Sequence, residues 1–418
     1  MITSPSQPEE FVRSYVLSLS GTIDRKDETI IRTILKACFD GNKVLEISMR
    51  DLAFFTNQVY YIHHFGPFSK MELFITKDCN LQCSYCFVKE KQHHAMSFET
   101  ACDAINFLVF FSGAKRQLEI TFFGGEPLLE FDLICSLIEY SRKIEDASKQ
   151  KKIGFAITTN GTLIDEKIMK ALSGKVNLLL SLDGDEETHD RYRRFRSGEG
   201  SYRLIASKIK MMKKFQPWLG ARMTVLPSTV PELFNNVLHL YQMGINQFII
   251  GMSVESEWDE HALKILEGEY EKISSFYLKA IQAREALRMT FFEDGANERD
   301  QYKDTWGCRA GRSSITVDAG GDIYPCSKFI GLEKNNCPEL TLGNIYEGIT
   351  NIALSRKMNK MKNEDYEKCI NCKEVDNCSG GCPADNYFEN RNLYMPAKAG
   401  CGFTRINNHI LKEFRTKC

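Results

Sequence analysis

The chain carries almost no net charge: 54 lysines and arginines stand against 55 aspartates and glutamates among 418 residues. That balance leaves no electrostatic footprint for nucleic acid or an anionic membrane. No run of 18 apolar residues occurs, which argues against a membrane-spanning helix. The first ten residues lack both the basic and the apolar region of a signal peptide. A cytoplasmic globular protein is the expectation, with two or three domains at this length. In that compartment fifteen cysteines argue for metal or redox chemistry and against a disulfide framework.

Three of them form Cys79-Asn-Leu-Gln-Cys83-Ser-Tyr-Cys86-Phe87, a C-x3-C-x2-C loop directly after an apolar run at 71–76. Cysteine thiolate is the soft ligand of iron–sulfur clusters, and three thiolates leave one iron of a four-iron cluster open. The alternative is a zinc knuckle. Structural zinc takes four ligands, typically in C-x2-4-C pairs, and a triplet flanked by Tyr85 and Phe87 fits that poorly. Cys38, Cys102 and Cys135 sit in helical apolar patterns, where a free cysteine is a small core residue.

From residue 71 to about 297, apolar strands alternate with helical stretches. The strands read are 71–76, 118–123, 153–158, 176–182, 220–226 and 247–252, with helices such as 97–111, 132–143 and 165–172 between them. Six β/α units predict a partial (β/α)6 barrel around a parallel sheet, with ligands gathered at the carboxyl ends of the strands. A long charged helical stretch spans 259–287. Residues 1–70 form a separate region, read as a helix at 27–39, a strand at 44–48, a helix at 48–55 and an extended 59–62. That order suggests a small winged-helix-like module, and a plain N-terminal extension packed on the barrel is the alternative. His63 and His64 read as solvated.

The strand ends carry further motifs. Thr121-Phe-Phe-Gly124-Gly125-Glu126-Pro127 follows strand two, its glycines allowing close backbone approach to a ligand. Thr158-Thr159-Asn160-Gly161-Thr162 follows strand three. Strand four runs into Ser181-Leu-Asp183-Gly184, then His189-Asp190-Arg191-Tyr192-Arg193. Beyond residue 300, Cys308 and Cys326 flank a hairpin of 314–317 with 323–324. Cys369-x2-Cys372-x5-Cys378-x3-Cys382 and Cys401 follow. Seven clustered cysteines make one or two multi-thiolate sites, for zinc or iron–sulfur.

The triplet and the motifs that follow it in order resemble the radical S-adenosylmethionine (radical SAM) superfamily. The C-terminal cysteines resemble its SPASM domain, so that the division becomes 1–70, 71–300 and 301–418. The resemblance implies S-adenosylmethionine as cofactor and three [4Fe-4S] clusters. Cys79, Cys83 and Cys86 would hold the first. Gly124, Gly125 and Glu126 would hold the amino group of S-adenosylmethionine, with Thr159 and Asn160 in the third-strand motif. Ser181 would contact the ribose region and Arg193 the carboxylate, with Asp183 also among the cofactor-binding residues. Cys369, Cys372, Cys378 and Cys401 would hold an outer auxiliary cluster, and Cys308, Cys326 and Cys382 an inner one. Two departures stand out. Sulfatase-maturing relatives carry a basic aspartate where this chain has Ser327, and an eighth cysteine that residues 301–307 do not supply. The inner cluster is then either open at one iron or completed by Cys337. The implied function is modification of a ribosomally made precursor peptide, recognised in part through a leader segment. The product would be a thioether or other crosslink, formed with electrons from a flavodoxin or ferredoxin. The N-terminal region would be the leader-recognition module. A sulfatase-maturase-like protein-oxidising enzyme and a non-catalytic iron–sulfur or zinc scaffold are the competing classes.

Overall fold

A computed structural model describes residues 6–38, 48–88, 91, 94–297, 308–330, 338–360, 367–378 and 380–417. Three helices open the chain: α1 (Ser6–Ser20), α2 (Arg25–Cys38) and α3 (Met49–Phe65). The repeating unit then runs β1 (Lys70–Thr76), α4 (Phe98–Phe111), β2 (Gln117–Gly124), α5 (Phe131–Ser148), β3 (Lys152–Thr159), α6 (Glu166–Leu172) and β4 (Val176–Ser181). It continues through α7 (Glu186–Tyr192), α8 (Tyr202–Phe215), β5 (Gly220–Val225), α9 (Leu233–Gln242), β6 (Gln247–Met252), α10 (Glu260–Gln282) and β7 (Arg288–Met289). After α11 (Thr290–Asn297) come β8 (Ser314–Val317), β9 (Asp322–Tyr324), α12 (Ser327–Ile330), β10 (Gly343–Asn344) and α13 (Ile352–Lys360). Short α14 (Glu367–Ile370), then α15 (Pro383–Asn390) and α16 (Lys398–Lys417) close the chain.

The six barrel strands stand where the apolar runs place them, each within two residues at its ends, and they pair in parallel from β1 to β6. Their side chains alternate. In β2 residues 118, 120 and 122 are buried, whereas 119, 121 and 123 are half-buried. The period of two sends one set outward under the helices and the other into an accessible lumen. Local signals fix the helix starts. The side chains of Ser97, Asp165 and Asp259 cap α4, α6 and α10 by accepting backbone N–H bonds.

Two features depart from the expectation. The hairpin after Cys308 does not form a separate sheet: β8 pairs in parallel with β1, Glu72 opposite Thr316, giving the order β10-β9-β8-β1-β2-β3-β4-β5-β6-β7. The β8–β9 and β9–β10 pairs are antiparallel. The second correction is N-terminal. Residues 59–62 are no strand but the middle of α3, which Ser48 caps and Gly66, at φ 87°, ends. The predicted strand at 44–47 lies outside the described residues. The described part of the region is a helical trio with no winged-helix hairpin.

That trio is cemented to both halves of the molecule. Phe54 of α3 packs on Phe107, Phe110 and Phe111 of α4. Buried Asn57 exchanges two hydrogen bonds of 2.8 Å with the backbone of Ile349 in the C-terminal part. His64 is not solvated: it lies 3.2 Å from the buried Asp27 carboxylate and 4.4 Å from the Tyr60 ring. Among the described residues no helix is long and apolar enough to cross a membrane.

Candidate functional site

The cysteine triplet begins three residues past the end of β1 and is held by backbone on two sides. Gln82 donates to the Arg194 carbonyl at 2.8 Å and Ser84 to the Tyr192 carbonyl at 3.1 Å. Arg196 pairs with Asp78 at 2.7 Å. Asn160, at the end of β3, donates to Asn80 at 2.8 Å and reaches within 3.9 Å of the Cys79 sulfur. Cys79 is buried, and Cys83 and Cys86 half-buried. Burial pushes the Cys79 thiol up to about 11 and raises Cys83 too, and the charge of a neighbouring thiolate raises each further: Cys83 for Cys79, Cys86 for Cys83. Three adjacent thiols that ionise with difficulty alone are suited to a cationic metal group, which binds them deprotonated.

Gly124 and Gly125 let the turn after β2 approach the backbone before the triplet. A Cβ at Gly124 would lie 2.2 Å from the Thr76 carbonyl oxygen, and one at Gly125 2.1 Å from that of Asp78. Gly125 and Glu126 donate to the same two carbonyls at 2.8 Å, so the turn after β2 is laced onto the approach to the triplet. Glu126 is wholly buried. Its carboxylate accepts from Leu128 N at 3.0 Å, Thr159 Oγ1 at 2.7 Å and Asn160 N at 2.7 Å. A carboxylate has about four acceptor positions, so one is left for an outside donor. Burial lifts this carboxyl to about 7 against the pull of those three donors.

At the end of β4, Ser181 is half-buried on the lumen face. Asp183 and Arg193, implied as cofactor contacts, meet each other. Arg193 Nε lies 2.8 Å and Nη2 3.3 Å from the two Asp183 oxygens. Thr224 N donates to Asp183 at 2.9 Å, the Tyr85 hydroxyl at 2.5 Å, and the Tyr85 ring lies 5.2 Å from the Arg193 guanidinium carbon. Burial opposes the charge on Asp183, and the guanidinium beside it more than offsets this, holding the carboxyl below its ordinary range. The structure thus makes this pair a clamp between the triplet loop and the β4–β5 end. Buried His189 accepts from the Asp183 backbone N at 3.4 Å and lies 3.0 Å from the Ser201 hydroxyl. Burial drives its pKa down to about 4.

Sequence reading missed two lumen residues. Glu72, on β1, accepts from Thr316 Oγ1 at 2.8 Å and from the backbone N of Ser327 at 3.3 Å, both on one oxygen. It therefore brings a carboxylate to the residue after Cys326, where Ser327 itself has none. Arg222 lines the lumen from β5 and feels the charges of Arg193, Asp183 and Glu72. Gly251 leaves space for it, since a Cβ there would lie 2.9 Å from Nη2. The available signal was a single charge inside an otherwise apolar parallel-strand run.

The seven C-terminal cysteines sort into two groups. The Cys326 thiol is raised well above its usual range by burial, then by the charges of Cys382 and Cys308. Cys369 is raised to about 11 by burial and by Cys378, Cys401 and Cys372. Cys326 thus feels Cys308 and Cys382, and Cys369 feels Cys372, Cys378 and Cys401. Backbone N–H groups point at Cys308 from Ala310, 3.5 Å, and at Cys378 from Gly380, 3.3 Å. Among the described residues no three cysteine, histidine or carboxylate side chains converge tightly enough for a single ion. A cubane spreads its thiolates over a larger body. Cys337 and residues 301–307, which bear on the fourth inner ligand, lie outside the described residues.

A parallel barrel with a thiol triplet at the carboxyl end of its first strand, joined to a cysteine-rich unit, defines an iron–sulfur enzyme class. Sequence profiles name it: the Radical SAM superfamily matches residues 73–241, and SPASM, an iron–sulfur cluster-binding domain, matches residues 308–378. The chain thus contains a Radical SAM domain and a SPASM domain. It is 26% identical over 363 residues to a serine-type anaerobic sulfatase-maturating enzyme of Bacteroides thetaiotaomicron, covering 77% of this chain and 85% of that one. The fold matches native anSMEcpe with bound AdoMet and a Cp18Cys peptide at TM-score 0.67 and 20% identity, over 84% of this chain and 98% of the other. It also matches Streptococcus suis SuiB bound to precursor peptide SuiA, at TM-score 0.60 and 15% identity, over 91% and 93%.

Proposed function

We propose that the chain is a radical SAM maturase that modifies a ribosomally made peptide, forming a thioether or other crosslink after hydrogen abstraction. The observation that carries this reading is the thiol triplet at the carboxyl end of β1, on the same sheet whose β9 leads into Cys326. Cys79, Cys83 and Cys86 would hold the first [4Fe-4S] cluster. Cys308, Cys326 and Cys382 would hold the inner auxiliary cluster, and Cys369, Cys372, Cys378 and Cys401 the outer one. When bound and reduced by one electron, the first cluster and S-adenosylmethionine supply a hydrogen-abstracting radical.

The chain's own residues do the rest. Glu126 offers its remaining acceptor position to an ammonium, and Asn160 and Thr159 fix the orientation of that carboxylate. Gly124 and Gly125 seat the turn on the triplet, and Ser181 faces the lumen for a ribose. Asp183 and Arg193 lock Tyr85, and with it the triplet loop, to the barrel. Glu72 and Arg222 give the lumen one carboxylate and one guanidinium with which to orient a substrate side chain. The helical trio braces the barrel against the C-terminal part, which favours the packed-extension reading of residues 1–70 over leader recognition. A reducing cytoplasm and a flavodoxin or ferredoxin donor suit this chemistry.

A second reading, a protein-oxidising enzyme of sulfatase-maturase type, draws support from Glu72, whose carboxylate stands beside Ser327 where a base is required. The test common to both is chemical. Anaerobic reduction in the presence of S-adenosylmethionine is expected to release methionine and 5′-deoxyadenosine. Alanine at Cys79, Cys83 and Cys86 together should abolish that release while auxiliary iron stays bound. Release by the triple variant at the parent rate would refute the assignment.

A further inference from the structure

Two of the C-terminal cysteines stand at the start of helical turns. Cys326 directly precedes α12, and Cys382 directly precedes α15, whose first residue is Pro383. Each is tied to its turn by backbone: Phe329 N donates to the Cys326 carbonyl at 3.1 Å, and Asn386 N to that of Cys382 at 2.9 Å. One ion pair joins the two turns. Lys328, two residues after Cys326, places Nζ 2.7 Å and 2.9 Å from the two oxygens of Asp385, three residues after Cys382. The aspartate side chain is 15% exposed and the lysine's 42%. A lysine–carboxylate pair open to water on one side adds little to a fold, so stability alone does not explain its placement.

The same two residues approach the sulfurs by a second route. The backbone N–H of Lys328 bears on the Cys326 sulfur, and that of Asp385 on the Cys382 sulfur. The ammonium charge acts on Cys326, Cys382 and Cys308. At Cys382 and Cys308 it outweighs the opposing charge of Asp385. The three inner cysteines therefore share one fixed positive charge, carried on a strap between two of their loops.

We propose that Lys328, held by Asp385, is a positioning residue for the iron–sulfur group of Cys308, Cys326 and Cys382, which fixes two of its ligand loops and raises its reduction potential. The proposal rests on the iron–sulfur reading above. One-electron reduction, by dithionite in the test below, adds one negative charge to the group and moves no atom. An ammonium beside the ligands favours that added charge, and such potentials follow local charge and the hydrogen bonds made to sulfur.

The experiment uses the full chain with Cys79, Cys83 and Cys86 replaced by alanine, so that the C-terminal groups alone are read. Potentials are measured by anaerobic dithionite titration followed by electron paramagnetic resonance, with iron counted in every protein. Lys328→Met removes the cation and leaves Asp385 beside the thiolates. Reduction of one group should become harder by about tenfold, a fall of about 59 mV for one electron. Asp385→Asn removes the anion and keeps the cation, so the same group should become easier to reduce. Lys328→Arg should stay near the parent value. Shifts of opposite sign identify the charge, because a strap that only held the loops would move both variants in one direction. Should Lys328→Met shed iron, Lys328→Gln is read in its place, with the same fall expected. Potentials that stay unchanged in both variants, or move in the same direction, with iron retained, overturn the proposal. A parent chain that binds no C-terminal iron refutes the functional reading, and the proposal falls with it.

Discussion

Replacing Arg193 with methionine separates a clamp from a cofactor ligand. The guanidinium is 7% exposed and its partner Asp183 4%, and both oxygens of Asp183 are engaged by Nε and Nη2 at 2.8 and 3.3 Å. Methionine fills much of the volume and removes the charge. Asp183 then keeps only the Thr224 N–H and the Tyr85 hydroxyl, two neutral donors for a buried anion. Leaving one member of a buried pair uncompensated costs about 3–5 kcal/mol, a large share of a typical total of about 5–15 kcal/mol. Adding Asp183→Asn removes the stranded charge, so the double variant should be more stable than Arg193→Met alone. Urea unfolding of the four proteins in a double-mutant cycle measures the coupling. Because Arg193 holds Asp183 below its ordinary value, the contribution is complete above the unfolded carboxyl's pKa near 3.8 and fades only as pH falls through the lower folded value. The cycle should therefore look the same at pH 5 and pH 8. The reasoning fails if Arg193→Met costs under about 1 kcal/mol while S-adenosylmethionine affinity collapses, since Arg193 would then serve the cofactor and not the fold.

Glu126→Gln should weaken S-adenosylmethionine binding about ten- to a hundredfold, the loss of a charge-assisted hydrogen bond of about 1.5–3 kcal/mol, measured by equilibrium dialysis. Whichever way the amide turns, either the Leu128 or the Asn160 N–H loses its acceptor, and unchanged affinity would remove Glu126 from the site. His189 supplies a pH prediction. Its folded pKa of about 4 lies below the ordinary 6.5, so the unfolded chain takes up the proton first. Stability is lost as pH falls from about 6.5 to about 4, by at most about 3.4 kcal/mol for those roughly 2.5 units. His189→Gln should flatten that part of the unfolding profile, and parallel wild-type and variant profiles would contradict the assignment.

Apolar runs identified all six barrel strands because a parallel strand buried on its outer face, with few charges toward the lumen, is apolar along nearly its whole length. The same rule failed at 59–62. Val59, Tyr60, Tyr61 and Ile62 have strand-like side chains, but a cap at Ser48 and a stop at Gly66 frame a 17-residue helix, and packing on α4 overrides the local preference. Cysteine spacing marked the triplet as a ligand loop because its three thiols are local, whereas it left the seven C-terminal cysteines as one or two sites. The Asp183–Arg193 pair was not legible. Each residue fits a role toward a cofactor, and only the fold shows that the two are 2.8 Å apart.

The pairing of β8 with β1 bears most directly on mechanism. Parallel pairing between strands some 240 residues apart has no local signature, and the hairpin alone reads as the start of an independent domain. Once β8 is laid beside β1, Cys79 follows one strand of a pair, and Cys326 follows β9, the partner of the other. Glu72 spans the junction by accepting from both Thr316 and Ser327. The triplet and the inner cysteines are therefore fixed relative to one another by backbone hydrogen bonds, and not by a flexible interdomain contact. The proposed reaction would depend on such a fixed geometry, because hydrogen abstraction loses efficiency steeply when the reacting groups are misplaced. Glu72 is tied to the C-terminal part through Thr316 and Ser327, so a substrate held at its carboxylate would lie beside the residue that follows Cys326.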